Sequence, residues 1–120
     1  MYCLDTYALW EIYLGNEKFL HFFEQKFIIT EWTLIEFYKT LVREFNKETA
    51  DYWIKRLLPY TKNVSLEIAF DAVFFQSENK SEKMSLFNCI GYQFSVKNNL
   101  LFVTGDKAFK NKKNVFFIKK

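Results

Sequence analysis

Leu100-Leu101-Phe102-Val103-Thr104-Gly105-Asp106 is five apolar or β-branched residues, then a glycine and an acid. The run is short, continuously apolar and closed by a turn dipeptide, as expected of a strand buried on both faces of a parallel sheet. The same pattern recurs at the start, where Tyr2-Cys3-Leu4 leads straight into Asp5, and again at Lys26–Thr30, followed six residues later by Glu36. Parallel neighbours bring their C-terminal ends to one edge of the sheet, so Asp5, Glu36 and Asp106 are expected to face a common pocket there. Clustered carboxylates repel and raise one another's pKa, and a hard cation is the usual remedy.

Between these strands the chain reads as helices. Residues 6–14, with Asp5 or Thr6 as N-cap, and 17–25 form two short ones around Gly15-Asn16. In 33–45, Leu34, Tyr38, Leu41, Val42 and Phe45 recur at helical spacing, placing the apolar stripe near Tyr38 and Glu36 about 160° from it. A helix over 47–58 stops at Pro59, and Val64 is expected to pair briefly with the sheet. Ser65 caps a helix to about Phe75, residues 76–83 form a polar loop, and Ser85 caps a helix over 86–98 that is apolar nearly all round. Strands at 100–104 and 115–118 flank a turn-rich connection. Strands alternating with helices predict an α/β fold, a three-layer α/β/α sandwich around a mostly parallel sheet of four or five strands.

Composition sets further bounds. The 120 residues suit one domain over 1–120, and half of them are apolar, with fifteen Phe but three Gly and one Pro. No apolar stretch approaches the roughly 20 residues of a membrane span, and there is no secretory leader pattern. Cys3 and Cys89 lack CxxC spacing and read as buried, reduced thiols of a cytoplasmic protein. His21 stands among phenylalanines without a nucleophile beside it. Glycine-rich phosphate loops, zinc-ligand spacings and GxSxG are all absent from the sequence.

Each candidate residue also has a plainer reading. Asp5 suits a helix N-cap, Glu36 a solvent-facing glutamate, and Gly105-Asp106 an ordinary turn. Ser85, Asn88 and Tyr92 make the one polar line on the 86–98 helix, and a buried Asn needs partners. The net charge is +3, yet six lysines and no acid follow Asp106. These lysines either blunt the sheet edge or draw phosphates toward the acids, and the two roles are compatible. The aromatic surplus, including Tyr7, Trp10, Tyr13, Phe19, Phe22, Phe23, Trp32, Tyr38 and Trp53, either fills the core or leaves an exposed patch for a partner.

Taken in chain order, these segments resemble the PIN-domain family of nucleases, including VapC-type toxins. The resemblance rests on Tyr2-Cys3-Leu4-Asp5, Thr33-Leu34-Ile35-Glu36, Ser85-Leu86-Phe87-Asn88 and Thr104-Gly105-Asp106, and it covers essentially the whole chain. It implies a Mg²⁺- or Mn²⁺-dependent endoribonuclease acting on single-stranded RNA, plausible as the toxin of a toxin–antitoxin pair and as a homodimer. By that resemblance Asp5 and Asp106 are metal ligands, Glu36 is a ligand or an orienter of water, and Thr104 supports the site from its strand. Lys107, Lys110, Lys112 and Lys113 would contact the RNA. The family pattern has an acid where this chain has Asn88. Three explanations stay open: a weak enzyme, a natural module that binds RNA or protein without cutting, or an engineered Asp→Asn form. Glu82, in the loop upstream, is a candidate to replace the missing charge.

Overall fold

The computed structural model describes residues 1–119. Five strands, β1 (Tyr2–Leu4), β2 (Phe27–Thr30), β3 (Thr61–Lys62), β4 (Leu101–Thr104) and β5 (Val115–Phe117), form one sheet in the order β3-β2-β1-β4-β5. Every neighbouring pair is parallel, with Cys3 opposite both Ile28 and Phe102. The helices are α1 (Thr6–Tyr13), α2 (Glu17–Leu20), α3 (Glu31–Glu44), α4 (Lys47–Leu57), α5 (Leu66–Glu78) and α6 (Leu86–Lys97).

Alternation along the strands divides the core into two halves. Leu4, Phe27, Ile29 and Val103 point to one face and pack with residues of α1 to α4 and of the 3-10 turn His21–Glu24, including Phe19, Phe22, Phe37 and Leu41. Cys3, Ile28 and Phe102 point to the other and meet Ala72, Cys89, Ile90, Phe94 and Phe109. The expected three-layer sandwich is therefore present, and its sheet is parallel throughout. Strand order sends the chain outward from β1 through β2 to β3, then back across to β4 and β5. The reversal falls between β1 and β4, and in open parallel sheets the crevice at that point is where ligands bind.

Several boundaries differ from the sequence reading. The edge strand is Thr61–Lys62, paired with Ile29 and Thr30, rather than a segment at Val64. Val64 instead donates its N–H to the Glu31 carboxylate at 3.0 Å. Helix α5 runs three residues past Phe75, and a single 3-10 turn at Lys80–Glu82 occupies part of the expected loop. Helix α3 begins two residues early because Thr30, at the end of β2, caps it by accepting from the Thr33 N–H at 3.1 Å.

The buried face of α3 also differs from the expected stripe. Thr33, Leu34, Phe37 and Leu41 are buried, whereas Val42 and Phe45 are 41% and 49% exposed. The inner face thus centres on Phe37, and Glu36 lies beside it rather than opposite. Helix α5 carries two apolar stripes. One, around Ile68, Ala72 and Phe75, meets α6, while Leu66, Phe70, Val73 and Phe74 are left 50–72% exposed.

Candidate active site at the sheet edge

Asp5 follows β1 directly and is the N-cap of α1, its Oδ1 accepting from the Ala8 N–H at 2.8 Å. The plainer reading of this residue is thus correct, but it accounts for only one carboxyl oxygen. The side chain is 1% exposed, and Oδ2 is buried with no hydrogen-bond partner. Burial pushes the Asp5 carboxyl up to about 7, opposed by the nearby Thr104 hydroxyl and the Ala8 N–H. The charges of Glu36 and Asp106 raise it further, so the other two acids named from sequence lie close enough to act on Asp5.

Asp106 follows β4 through a turn built by its neighbours. Thr104, fully buried, accepts the Asp106 N–H on its hydroxyl at 3.0 Å, and Asp106 Oδ1 accepts from the Ala108 N–H at 3.0 Å. Gly105 is required by a close approach. A Cβ there would sit 2.3 Å from the Tyr7 ring, so the bare backbone lets α1 press against the Thr104–Asp106 turn. Sequence reading assigned that glycine to turn chemistry alone, and Tyr7 gave no separate signal.

Glu36 is half-buried in the second turn of α3, and a short hydrogen bond from the Thr6 hydroxyl ties it to the first residue of α1. Asn88 lies in the first turn of α6, where Ser85 caps the helix by accepting the Asn88 N–H at 3.1 Å. Its amide donates to Asp106 Oδ2 at 3.4 Å, a long bond. Asn88 therefore reaches the Asp106 carboxylate, as a donor. Tyr92, the third member of that polar line, is a core residue packed against Phe75, Phe102 and Phe109.

Among the described residues, no three His, Cys, Asp or Glu side chains stand together as a set able to hold a metal ion. The reason is local: Glu36 is drawn to Thr6, and the fourth corner is an amide. Magnesium needs less, since it is usually held by one or two carboxylates with water completing its shell. Asp5 and Asp106 fit that demand. A buried carboxylate oxygen without a donor is costly unless a cation or a proton satisfies it.

The basic segment is divided. Lys112 is committed to Glu82, with its ammonium 3.3 Å from both carboxylate oxygens and over the Phe75 ring. That pair also occupies Glu82, the candidate substitute for the missing acid. Lys107 and Lys110 are exposed near Asp106, and Lys113 is exposed farther along. Both thiols are free and buried, and burial pushes Cys3 up to about 12 and Cys89 to about 11, so neither serves as a nucleophile.

No family model and no curated protein matches this chain. Solved structures do. Mycobacterium tuberculosis VapC20, a toxin that cleaves the sarcin–ricin loop, superposes with a TM-score of 0.80 at 13% identity, over 100% of this chain and 98% of that one. The fold is that of the VapC toxins. VapBC2 from Rickettsia felis, solved on a DNA fragment from its promoter, gives 0.76 at 16% identity over 99% and 98% of the two chains. A toxin–antitoxin complex from Klebsiella pneumoniae gives 0.75 at 18% identity over 98% and 100%. In this fold Asp5 and Asp106 follow β1 and β4, the two strands on either side of the switch point.

Proposed function

We propose that this protein is a divalent-metal-dependent endoribonuclease acting on single-stranded RNA, and the toxin of a toxin–antitoxin pair. The observation that carries this reading is the Asp5 carboxylate: buried, with one oxygen lacking a hydrogen bond, and raised in pKa first by that burial and then by the charges of Glu36 and Asp106. Asp5 and Asp106 would hold Mg²⁺ or Mn²⁺. When bound, such an ion neutralises phosphoryl oxygens and makes water acidic enough to attack at neutral pH.

The chain's own residues do the rest. Glu36, held by Thr6, presents a carboxylate able to orient a water or accept its proton. Thr104 anchors the Asp106 backbone, and Asn88 presents an amide to the carboxylate pair. The antitoxin reading is supported by the toxin–antitoxin complexes from Klebsiella pneumoniae and Rickettsia felis that share the fold. Among the described residues no helix is long and apolar enough to cross a membrane. Two free thiols suit the cytoplasm.

The test is cleavage of a labelled single-stranded RNA. Cutting is expected with Mg²⁺ or Mn²⁺, loss of it in chelator, and return on adding the metal back. Metal-independent cutting would refute the mechanism. A second reading is favoured by the amide of Asn88 on Asp106: a module that binds RNA or a protein without cutting. It is the correct one if RNA binds but survives intact in either metal.

The bare stripe of α5 bears on assembly. We propose that a second copy covers it, because Leu66, Phe70, Val73 and Phe74 lie at i, i+4, i+7 and i+8, and a two-fold contact buries the stripe of both copies at once. In light scattering the wild type is expected at about twice the 14.6 kDa chain mass, and Phe70→Glu with Phe74→Glu at once that mass. A monomeric wild type would exclude this arrangement.

A further inference from the structure

Beyond Asp106 the chain turns through Lys107–Phe109 and returns as β5, which pairs with β4 up to Phe117 opposite Thr104, so that the residues after it lie toward the same sheet edge. The Ile118 N–H bonds the Thr104 carbonyl at 2.9 Å, so Lys119 emerges beside the Thr104–Asp106 turn. Lys110 crosses over the Phe117 ring, its ammonium 5.5 Å from the centroid, which brings it toward the same strand end. Lys107, Lys110 and Lys119 therefore converge on one rim of the acidic crevice. Each is exposed, and none has a carboxylate partner among the described residues, whereas Lys112 is paired with Glu82.

This convergence is unlike edge protection, which needs lysines spaced along a strand and pointing into water. The Lys119 ammonium is held below its ordinary range, first by lost hydration and then by facing Lys107 and Lys110. Like charges gathered without an acid leave a favourable place for an anion.

We propose that Lys107, Lys110 and Lys119 form a subsite for an RNA backbone phosphate flanking the one that is cut, and that they hold the strand across Asp5 and Asp106. The proposal rests on the ribonuclease reading and deepens it. It replaces Lys112 with Lys119 and gives the basic rim a positional role. One phosphate is seated by three cations while the next lies over the carboxylates, whose own charge would otherwise repel it. Phosphate contacts of this kind fix register without reading bases.

Binding is measured by fluorescence anisotropy with a short 2′-O-methyl oligoribonucleotide, in chelator, across a range of salt concentrations, so that no cleavage step enters. Lys110→Ala with Lys119→Ala is compared with Lys55→Ala, an exposed lysine on α4 outside the cluster. For single strands each lost phosphate contact flattens the log–log salt slope by about 0.7. The double variant is expected to flatten it by about that amount and to weaken binding about 10-fold or more, with Lys55→Ala near wild type. Lys110→Arg with Lys119→Arg is expected to restore both. An unchanged slope in the double variant, or an equal loss in Lys55→Ala, overturns the subsite while leaving the nuclease reading in place. A wild type that shows no salt-dependent binding overturns both.

Discussion

Asp5→Asn is expected to abolish RNA cleavage, by at least about 1,000-fold, and at the same time to stabilise the metal-free protein above neutral pH. The first effect follows from removing a carboxylate proposed to hold the cation, a larger loss than the roughly 10- to 100-fold typical of outer-shell partners. The second follows from burial. The folded carboxyl titrates at about 7, against about 3.9 in an unfolded chain. Between those values the folded state keeps a proton that the unfolded state has released, so stability falls as pH rises through the window. Three units at about 1.4 kcal/mol each set an upper limit of about 4 kcal/mol. The Asn variant carries no charge to desolvate and still offers an oxygen to the Ala8 N–H. Denaturant titrations in chelator from pH 4 to pH 8 read the effect directly. Wild type should lose stability across that range and Asp5→Asn should lose much less. A variant that keeps the full slope would place the strained carboxylate elsewhere.

This opposition between function and stability also shows what the sequence could disclose. Asp5, Glu36 and Asp106 were readable because each follows a strand whose apolar run is unmistakable, and parallel pairing then brings them to one edge. The buried oxygen of Asp5 was not readable. Whether a side-chain oxygen is buried without a donor is set by contacts between distant segments, which leave no periodic trace. The face of α3 was misplaced for a related reason. Val42 and Phe45 continue an apolar helical spacing, yet both stay partly in water, even though Phe45 meets Trp10 and Tyr13 of α1. Thr61–Lys62 escaped notice because two polar residues cannot show alternation, and their pairing is dictated by where α4 ends. In α5 both stripes are apolar, so the pattern marks burial against α6 on one side and cannot distinguish it from exposure on the other. Local signals located the elements and the acids, while the partners of each side chain were set by tertiary packing.

Asn88→Asp is expected to raise cleavage by about 10-fold or more and to lower the Mg²⁺ concentration needed for half-maximal rate. As it stands, Asn88 donates to Asp106 Oδ2 at 3.4 Å and occupies a lone pair of a carboxylate that the cation requires. An aspartate at this position withdraws that donor and adds a full negative charge to the crevice. A tenfold gain in cation affinity corresponds to about 1.4 kcal/mol, a modest return for a new carboxylate next to two others. Without metal the sign reverses. The new charge faces Asp5, Glu36 and Asp106 with nothing to balance it, and like charges about 4 Å apart repel by up to about 4 kcal/mol at a surface-like dielectric. The metal-free variant is therefore expected to be less stable than the parent by about 1–3 kcal/mol, and Mg²⁺ should recover more stability for it than for the parent. Melting curves with and without metal, read beside the cleavage rate, separate the two possible natures of this chain. If rate and metal-linked stability rise together, Asn88 attenuates a working nuclease. If the metal stabilises the variant but RNA is still never cut, the carboxylates serve binding alone.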